Sequence, residues 1–319
     1  MIDPAAFPPP ETMLVALGID TAAEPPVLTP LAGGWSGGRI WRVERAGYPP
    51  LVLRALAGNT GAGARREDAI HALVREAGIP APEILAVAEI PGGAAMAMTL
   101  MPGIPLAQAL LQAPDTATAQ AFGVAAGEML ARIHAIPGAI LAEAGLAPGG
   151  EHARGDWLTW LTPGADVQRV LAPWRHPAEA HRLLHLDFHP ENLLVDAETR
   201  TVTAVLDWTN ARLGPPLADL ARTRSILRLI PTMPHLPPGA TAILAAFTSG
   251  CMDAYTARHG EADPAMLAAF DAWALDVQIA DLAPKLGMPG IAITAETLDT
   301  LRAARDAATA SASASLPER

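Results

Sequence analysis

The chain has 319 residues, half of them hydrophobic and only 17% charged, which excludes a disordered chain and leaves room for two substantial cores. Its formal net charge of -11 excludes the basic surface that nucleic-acid phosphates require and is compatible with cationic small substrates. A single cysteine, Cys251, excludes an internal disulfide and reads as a buried free thiol, and no zinc or iron-sulfur spacing is present.

The N-terminal stretch Met1 to Pro10 lacks the basic and apolar regions of a secretory signal, and no apolar run is long enough to span a bilayer. A soluble cytoplasmic protein with no membrane partner is the expectation. Glu11 to Leu17 reads as a short helix stopped by Gly18. Next comes Gly33-Gly34-Trp35-Ser36-Gly37-Gly38 ahead of an alternating strand. Glycines let a backbone approach phosphate oxygens, so Gly34, Ser36 and Gly37 are candidate phosphate contacts; a flexible hairpin with an ordinary turn serine is the competing reading.

Tyr48-Pro49-Pro50 reads as a break, followed by a strand, Leu51-Val52-Leu53-Arg54. Arg54 is either a phosphate-holding cation or a strand-end arginine reaching solvent. The only lysine is Lys285. Arg65 to Gly78 has the apolar spacing of an amphipathic helix with a glycine stop, with Glu67 in its first turn. Strands are expected at Ile84 to Ile90 and Ala94 to Met101, with Met96 and Met98 as core. From Leu106 the character changes to long Ala-rich helices, one of them ending near His134, which reads as structural.

The chemistry is concentrated in His185-Leu186-Asp187-Phe188-His189-Pro190-Glu191-Asn192. Two apolar runs follow, Leu193 to Val195 and Val202 to Leu206, separated by a polar turn; they read as a hairpin with Asp207 at its end. In-line transfer of a phosphoryl group needs a carboxylate that orients the attacking hydroxyl and oxygen ligands that hold Mg²⁺. Asp187 suits the first role, and Asn192 and Asp207 the second. Asp219, in the first turn of a following helix, and His185 read as supports for the same loop, and His189 as loop packing or a substrate contact. The last third reads as helices bearing Asp253, Asp271, Asp276 and Asp281, either a solvated acidic face or a surface for a cationic acceptor.

His185-Leu186-Asp187 through Asn192, with Leu206-Asp207-Trp208 beyond, resembles the aminoglycoside phosphotransferase family, small-molecule kinases that share the protein-kinase-like fold. That family usually has Gly where Leu186 stands and often Gly where Glu191 stands. The resemblance implies an α+β, bilobal fold: an N-terminal antiparallel sheet lobe with a helix over residues 1–102 and a mainly helical lobe over 103–306; the Ser-Ala composition of 307–319 reads as a low-complexity, frayed tail. It implies Asp187 as catalytic base, Asn192 and Asp207 as Mg²⁺ ligands, and Glu67 as partner of Arg54, with Glu76 the lesser candidate. The hinge at Met101-Pro102-Gly103 would place the base of ATP or GTP against Thr99, Leu100 and Met101.

The activity so implied moves the γ-phosphate of ATP or GTP to a hydroxyl of a small antibiotic or metabolite. The alternative is a nucleotide-binding pseudokinase acting as regulator or scaffold, for which Arg54 and Leu186 speak. A protein kinase is disfavoured, because about ten residues separate Asp207 from the next helix, where a protein kinase carries a long activation segment. Neither the acceptor nor the oligomeric state is legible in the chain.

Overall fold

The computed structural model describes residues 7–21, 25–31, 39–58, 61–145, 157–159, 163–174, 181–232, 236–288 and 293–315. The fold is α+β, in two compact units: Met1–Gly103 with Thr203–Thr209, and Ile104–Val202 with Asn210–Arg319.

The first unit opens with α1, Pro10–Ala16, which starts on a proline and ends before Gly18 at φ 72°. It then has β1 (Val27–Pro30), β2 (Arg39–Arg45), β3 (Tyr48–Ala57), α2 (Gly61–Glu76), β4 (Ile84–Ile90) and β5 (Gly93–Thr99). The five strands form one antiparallel sheet in the order β1-β2-β3-β5-β4. Strand alternation divides β3 between two cores. Leu51, Leu53 and Ala55 pack with Trp41, Val43, Ala95 and Ala97 against Met13 and Leu14 of α1. On the other face Val52 and Leu56 join Ala94, Met96, Met98 and Ala64 of α2. Arg54 lies between Val52 and Leu56 in this alternation, so it shares the α2 face.

Two local expectations are corrected here. Tyr48-Pro49-Pro50 does not break the chain but begins β3; both prolines are exposed beside a register shift between Val43 and Arg45, where a missing N–H does little harm. α2 starts at Gly61, so Glu67 lies in its second turn and not its first.

The second unit contains β6 (Ile104–Pro105), α3 (Leu106–Leu111), α4 (Thr116–His134), α5 (Gly138–Glu143), α6 (Ala165–Leu171), β7 (Arg182–Leu184) and β8 (Leu193–Asp196). The chain passes between the units within β9 (Thr201–Val205), which follows β8 across the expected hairpin. Then come β10 (Arg212–Gly214), α7 (Pro216–Leu229), α8 (Ala240–His259), α9 (Pro264–Leu282) and α10 (Ala295–Ala314). α4 is capped by Asp115, whose carboxylate accepts the Thr118 N–H at 2.8 Å.

Glycines make the seam between α4 and α8. A Cβ on Gly123 would overlap the Phe247 carbonyl, one on Gly127 the Cys251 carbonyl, and one on Gly250 the Gln120 carbonyl. A second core gathers Trp157, Val170, Leu184, Leu186, Phe270 and Trp273, with Trp157 edge-on to Trp273 at 4.9 Å.

Of the frayed tail expected over 307–319, the part up to Ala314 is helix, with Ala312 buried, and residues 316–319 lie outside the described residues. Alanine is the strongest helix former, and the intervening hydroxyls turn back on the helix: Thr309 donates to the Arg305 carbonyl at 2.9 Å and Ser313 to that of Thr309 at 2.8 Å. No described helix is long and apolar enough to cross a membrane.

Candidate active site

In the first unit the structure brings Arg54, Glu67 and Asp207 together. Arg54 Nη1 donates to Glu67 Oε1 at 2.9 Å, and Nη2 donates to Asp207 Oδ2 at 2.8 Å. Glu67, not Glu76, is therefore the partner of Arg54. Thr209 closes the group: its hydroxyl donates to Glu67 Oε2 at 2.9 Å, and its N–H makes a long bond of 3.4 Å to Asp207 Oδ1. Glu67 is 1% exposed, so an unpartnered carboxylate there would be costly.

Burial opposes its charge, but Arg54, His71 and Thr209 outweigh that and lower its pKa. Burial likewise opposes the charge on Arg54, and the two carboxylates overcome it, raising the pKa of the guanidinium.

Residues 203–209 belong to this unit, and two further hydrogen bonds fasten them to it. The Val205 N–H donates to the Pro80 carbonyl at 2.8 Å, and the Thr203 hydroxyl to that of Pro102 at 2.6 Å. Asp207 itself has φ 58°, a left-handed conformation that aspartate tolerates better than most residues. Thr99, Leu100 and Met101 are half-buried at the end of β5, where Thr99 exchanges bonds of 2.9 Å with the backbone of Glu83. Gly34, Ser36 and Gly37 lie outside the described residues.

In the second unit Asp187 and Asn192 sit side by side. Asn192 Nδ2 donates to the Asp187 backbone carbonyl at 2.9 Å and to Asp187 Oδ2 at 3.2 Å. With its nitrogen so engaged, the amide has its oxygen left over, a hard donor suited to Mg²⁺ or Ca²⁺. Burial of Asp187 works against its charge. The hydrogen bond and charge from His189, with charges from Arg222 and His185, more than offset it and hold the carboxyl at about 2.

The loop that carries Asp187 is pinned from beneath by Asp219 on α7. This fully buried carboxylate accepts the His185 N–H at 2.6 Å and the Leu186 N–H at 2.7 Å. Both bonds hold Leu186 at φ 62°, a conformation that costs a leucine about 1–2 kcal/mol. His185 accepts the Asp187 N–H on Nδ1 at 3.2 Å.

Behind Asp219 the chain of polar groups continues. His134 Nε2 lies 3.1 Å from Asp219 Oδ2, and His134 Nδ1 lies 2.8 Å from the Tyr255 hydroxyl. The tautomer with hydrogen on Nε2 serves both neighbours, donating to Asp219 and accepting from Tyr255. Asp219, His185 and His134 thus have the supporting positions expected of them. Sequence reasoning missed Thr209, Tyr255 and Arg222. None shares a short motif with its partner, and only the position of Thr209 two residues after Asp207 offered a signal.

The acidic residues of the last helices are mostly paired. Asp271 takes both ends of the Arg224 guanidinium at 3.0 Å, and Asp276 accepts from Arg305 at 3.2 Å and from the Gly164 N–H at 2.7 Å. Asp281 lies 3.6 Å from Arg222 and remains partly exposed; burial raises its pKa. Among the described residues no cluster of three or more His, Cys, Asp or Glu side chains forms a ready metal cage.

A curated relative, mouse acyl-CoA dehydrogenase family member 10, is 29% identical over 170 residues, 49% of this chain. The match spans only 16% of that protein's length. A candidate aminoglycoside phosphotransferase from Ralstonia eutropha JMP134 has a similar fold, with a TM-score of 0.62 and 18% identity over 97% of this chain and 98% of its own. Amicoumacin kinase hAmiN, solved with AMP-PNP, Ca²⁺ and Ami, gives a TM-score of 0.56 and 14% identity over 89% of this chain and 88% of its own. At such identities these structures speak for the fold alone. The phosphotransferase enzyme family matches residues 27–255, well over half of the chain, and the protein belongs to that family.

Proposed function

We propose that this protein transfers the γ-phosphate of ATP or GTP to a hydroxyl of a small molecule, with Mg²⁺ as the metal. The observation that carries the reading is Asp187, a carboxylate kept ionised beside Asn192 on a loop anchored by two buried hydrogen bonds to Asp219. Asp187 orients the acceptor O–H. The hydroxyl oxygen forms the new bond to γ-phosphorus, the bond to the β–γ bridging oxygen breaks, and the nucleoside diphosphate leaves. A carboxyl held near 2 is a weak base, so it takes the proton late, once the oxygen has begun to bond to phosphorus.

Arg54, braced by Glu67, supplies the cation for phosphate oxygens. Asn192, through its amide oxygen, and Asp207 would hold the metal, which when bound neutralises charge on the phosphates. Mg²⁺ needs few ligands from the protein, since it takes the rest from water and the nucleotide. Thr99 to Met101 are the residues proposed to meet the base, and Gly34, Ser36 and Gly37, outside the described residues, are kept as the expected phosphate contacts.

The pairing of Asp271 and Asp276 with arginines removes much of the reason to favour a polycationic acceptor. The test is transfer of labelled phosphate from ATP and from GTP to a panel of hydroxylated small molecules, with and without Mg²⁺. Metal-dependent transfer that disappears in Asp187→Asn and Asp207→Asn supports the reading. Nucleotide binding without any transfer or hydrolysis would return the chain to the pseudokinase class.

A further inference from the structure

An arginine beside a carboxylate prefers to engage both its oxygens through a two-pronged fork. Arg54 does not do this: one terminal nitrogen goes to Glu67 Oε1 and the other to Asp207 Oδ2. The second Glu67 oxygen is occupied by the hydroxyl of Thr209. We propose that Thr209 is a positioning residue that divides the Arg54 fork: by holding Glu67 Oε2 it keeps one guanidinium nitrogen free for Asp207. The four residues form a closed ring, since Thr209 is two positions beyond Asp207 and its N–H also points at Asp207 Oδ1.

The ring has a consequence for the reaction, and this part rests on the function proposed above. Remove the Thr209 hydroxyl and a carboxylate oxygen that is almost inaccessible to water loses its donor. Two groups already face this carboxylate, Arg54 on Oε1 and His71 with Nε2 at 3.9 Å from Oε1; Arg54, the permanent cation with a second nitrogen to offer, swings into the two-pronged arrangement on Glu67 and releases Asp207. The guanidinium is then drawn towards α2 and away from the phosphates, while Asp207 is relieved of its cation. A lysine in place of Arg54 presents a point charge without a planar fork to divide, so the need for Thr209 arises from the arginine.

Thr209→Val removes the O–H at nearly constant shape, and Thr209→Ser keeps it. The first measurement is a crystal structure of the full chain carrying Thr209→Val, without ligands. The expected result is both terminal nitrogens of Arg54 on Glu67 and none on Asp207; one nitrogen still on each carboxylate overturns the division of the fork.

The second is a titration with Mn²⁺ alone, together with the KM for Mg²⁺-nucleotide. Thr209→Val should bind Mn²⁺ a few-fold to about tenfold more tightly and raise the nucleotide KM by a similar factor, the worth of one hydrogen bond, with Thr209→Ser returning both towards the parent values. Unchanged Mn²⁺ affinity and KM beside a collapsed fork would overturn the role in the reaction. Should the parent chain transfer no phosphate, the proposed function fails, and the crystallographic comparison still decides the fork.

Discussion

The two aspartates on which the proposed chemistry rests are held by opposite means. Asp207, in the first unit, is held by charge: a guanidinium at 2.8 Å that is itself shared with Glu67. Asp187, in the second, sits on a loop held by geometry: two backbone N–H groups fastened to a buried carboxylate, with His134 and then Tyr255 hydrogen-bonded in line behind it. Each uses a left-handed residue, but Asp207 adopts it at little cost whereas Leu186, next to Asp187, does so under strain. A charge-held group can be re-paired when a ligand arrives. A geometry-held group stays in place, which suits a carboxylate that must aim at a reacting hydroxyl.

The sharpest way to break this comparison is Asp187→Asn, which should lower kcat by about 10²–10⁴-fold while costing no more stability than the roughly 2 kcal/mol its ionised form contributes, because the loop anchor is untouched. Asp219→Ala attacks the anchor itself. It strands two buried N–H groups and His134, and a loss of about 3–5 kcal/mol in urea unfolding is expected, with activity falling as well. A loss below 1 kcal/mol would mean that the loop is held by something other than Asp219.

Gly127→Ala tests what sets the position of Tyr255. The added methyl meets the Cys251 carbonyl and must push α8 from α4, the two helices that carry Tyr255 and His134. The expected cost is about 1–3 kcal/mol, read by denaturant unfolding.

Acid titration compares the units without mutation. The folded value of Asp187, about 2, lies below the ordinary 3.8, so its ionised form stabilises the fold at neutral pH. That contribution, about 2 kcal/mol, should fade as pH falls from about 4 to about 2, and should be missing from the pH dependence of Asp187→Asn. The smallest effect is expected for Tyr255→Phe, about 1 kcal/mol for one hydrogen bond behind the anchor.

Much of this was legible in the chain. The eight residues from His185 to Asn192 and the Asp207 that follows are close in sequence, and local spacing carries their chemistry. Helix and strand periods placed α2, α4 and β2 to β5 within a few residues, whereas β1 was not foreseen. Where local rules misled, a longer-range condition had prevailed. Tyr48-Pro49-Pro50 entered a strand because all three residues are exposed beside a register shift. The Ser-Ala run of the last residues became helix because Ala312 found a core to join.

The sequence by itself determined the family and the α+β class and marked the loop and side chains proposed for the chemistry, since each is written in adjacent residues or in a short period. Only the tertiary structure decided which partners those groups take. Arg54 meets Asp207 across 153 positions and Glu67 meets Thr209 across 142, and the acids of α9 meet arginines on α7 and α10. Such pairings depend on which faces of distant elements are pressed together by their apolar cores, and no local pattern of residues encodes that.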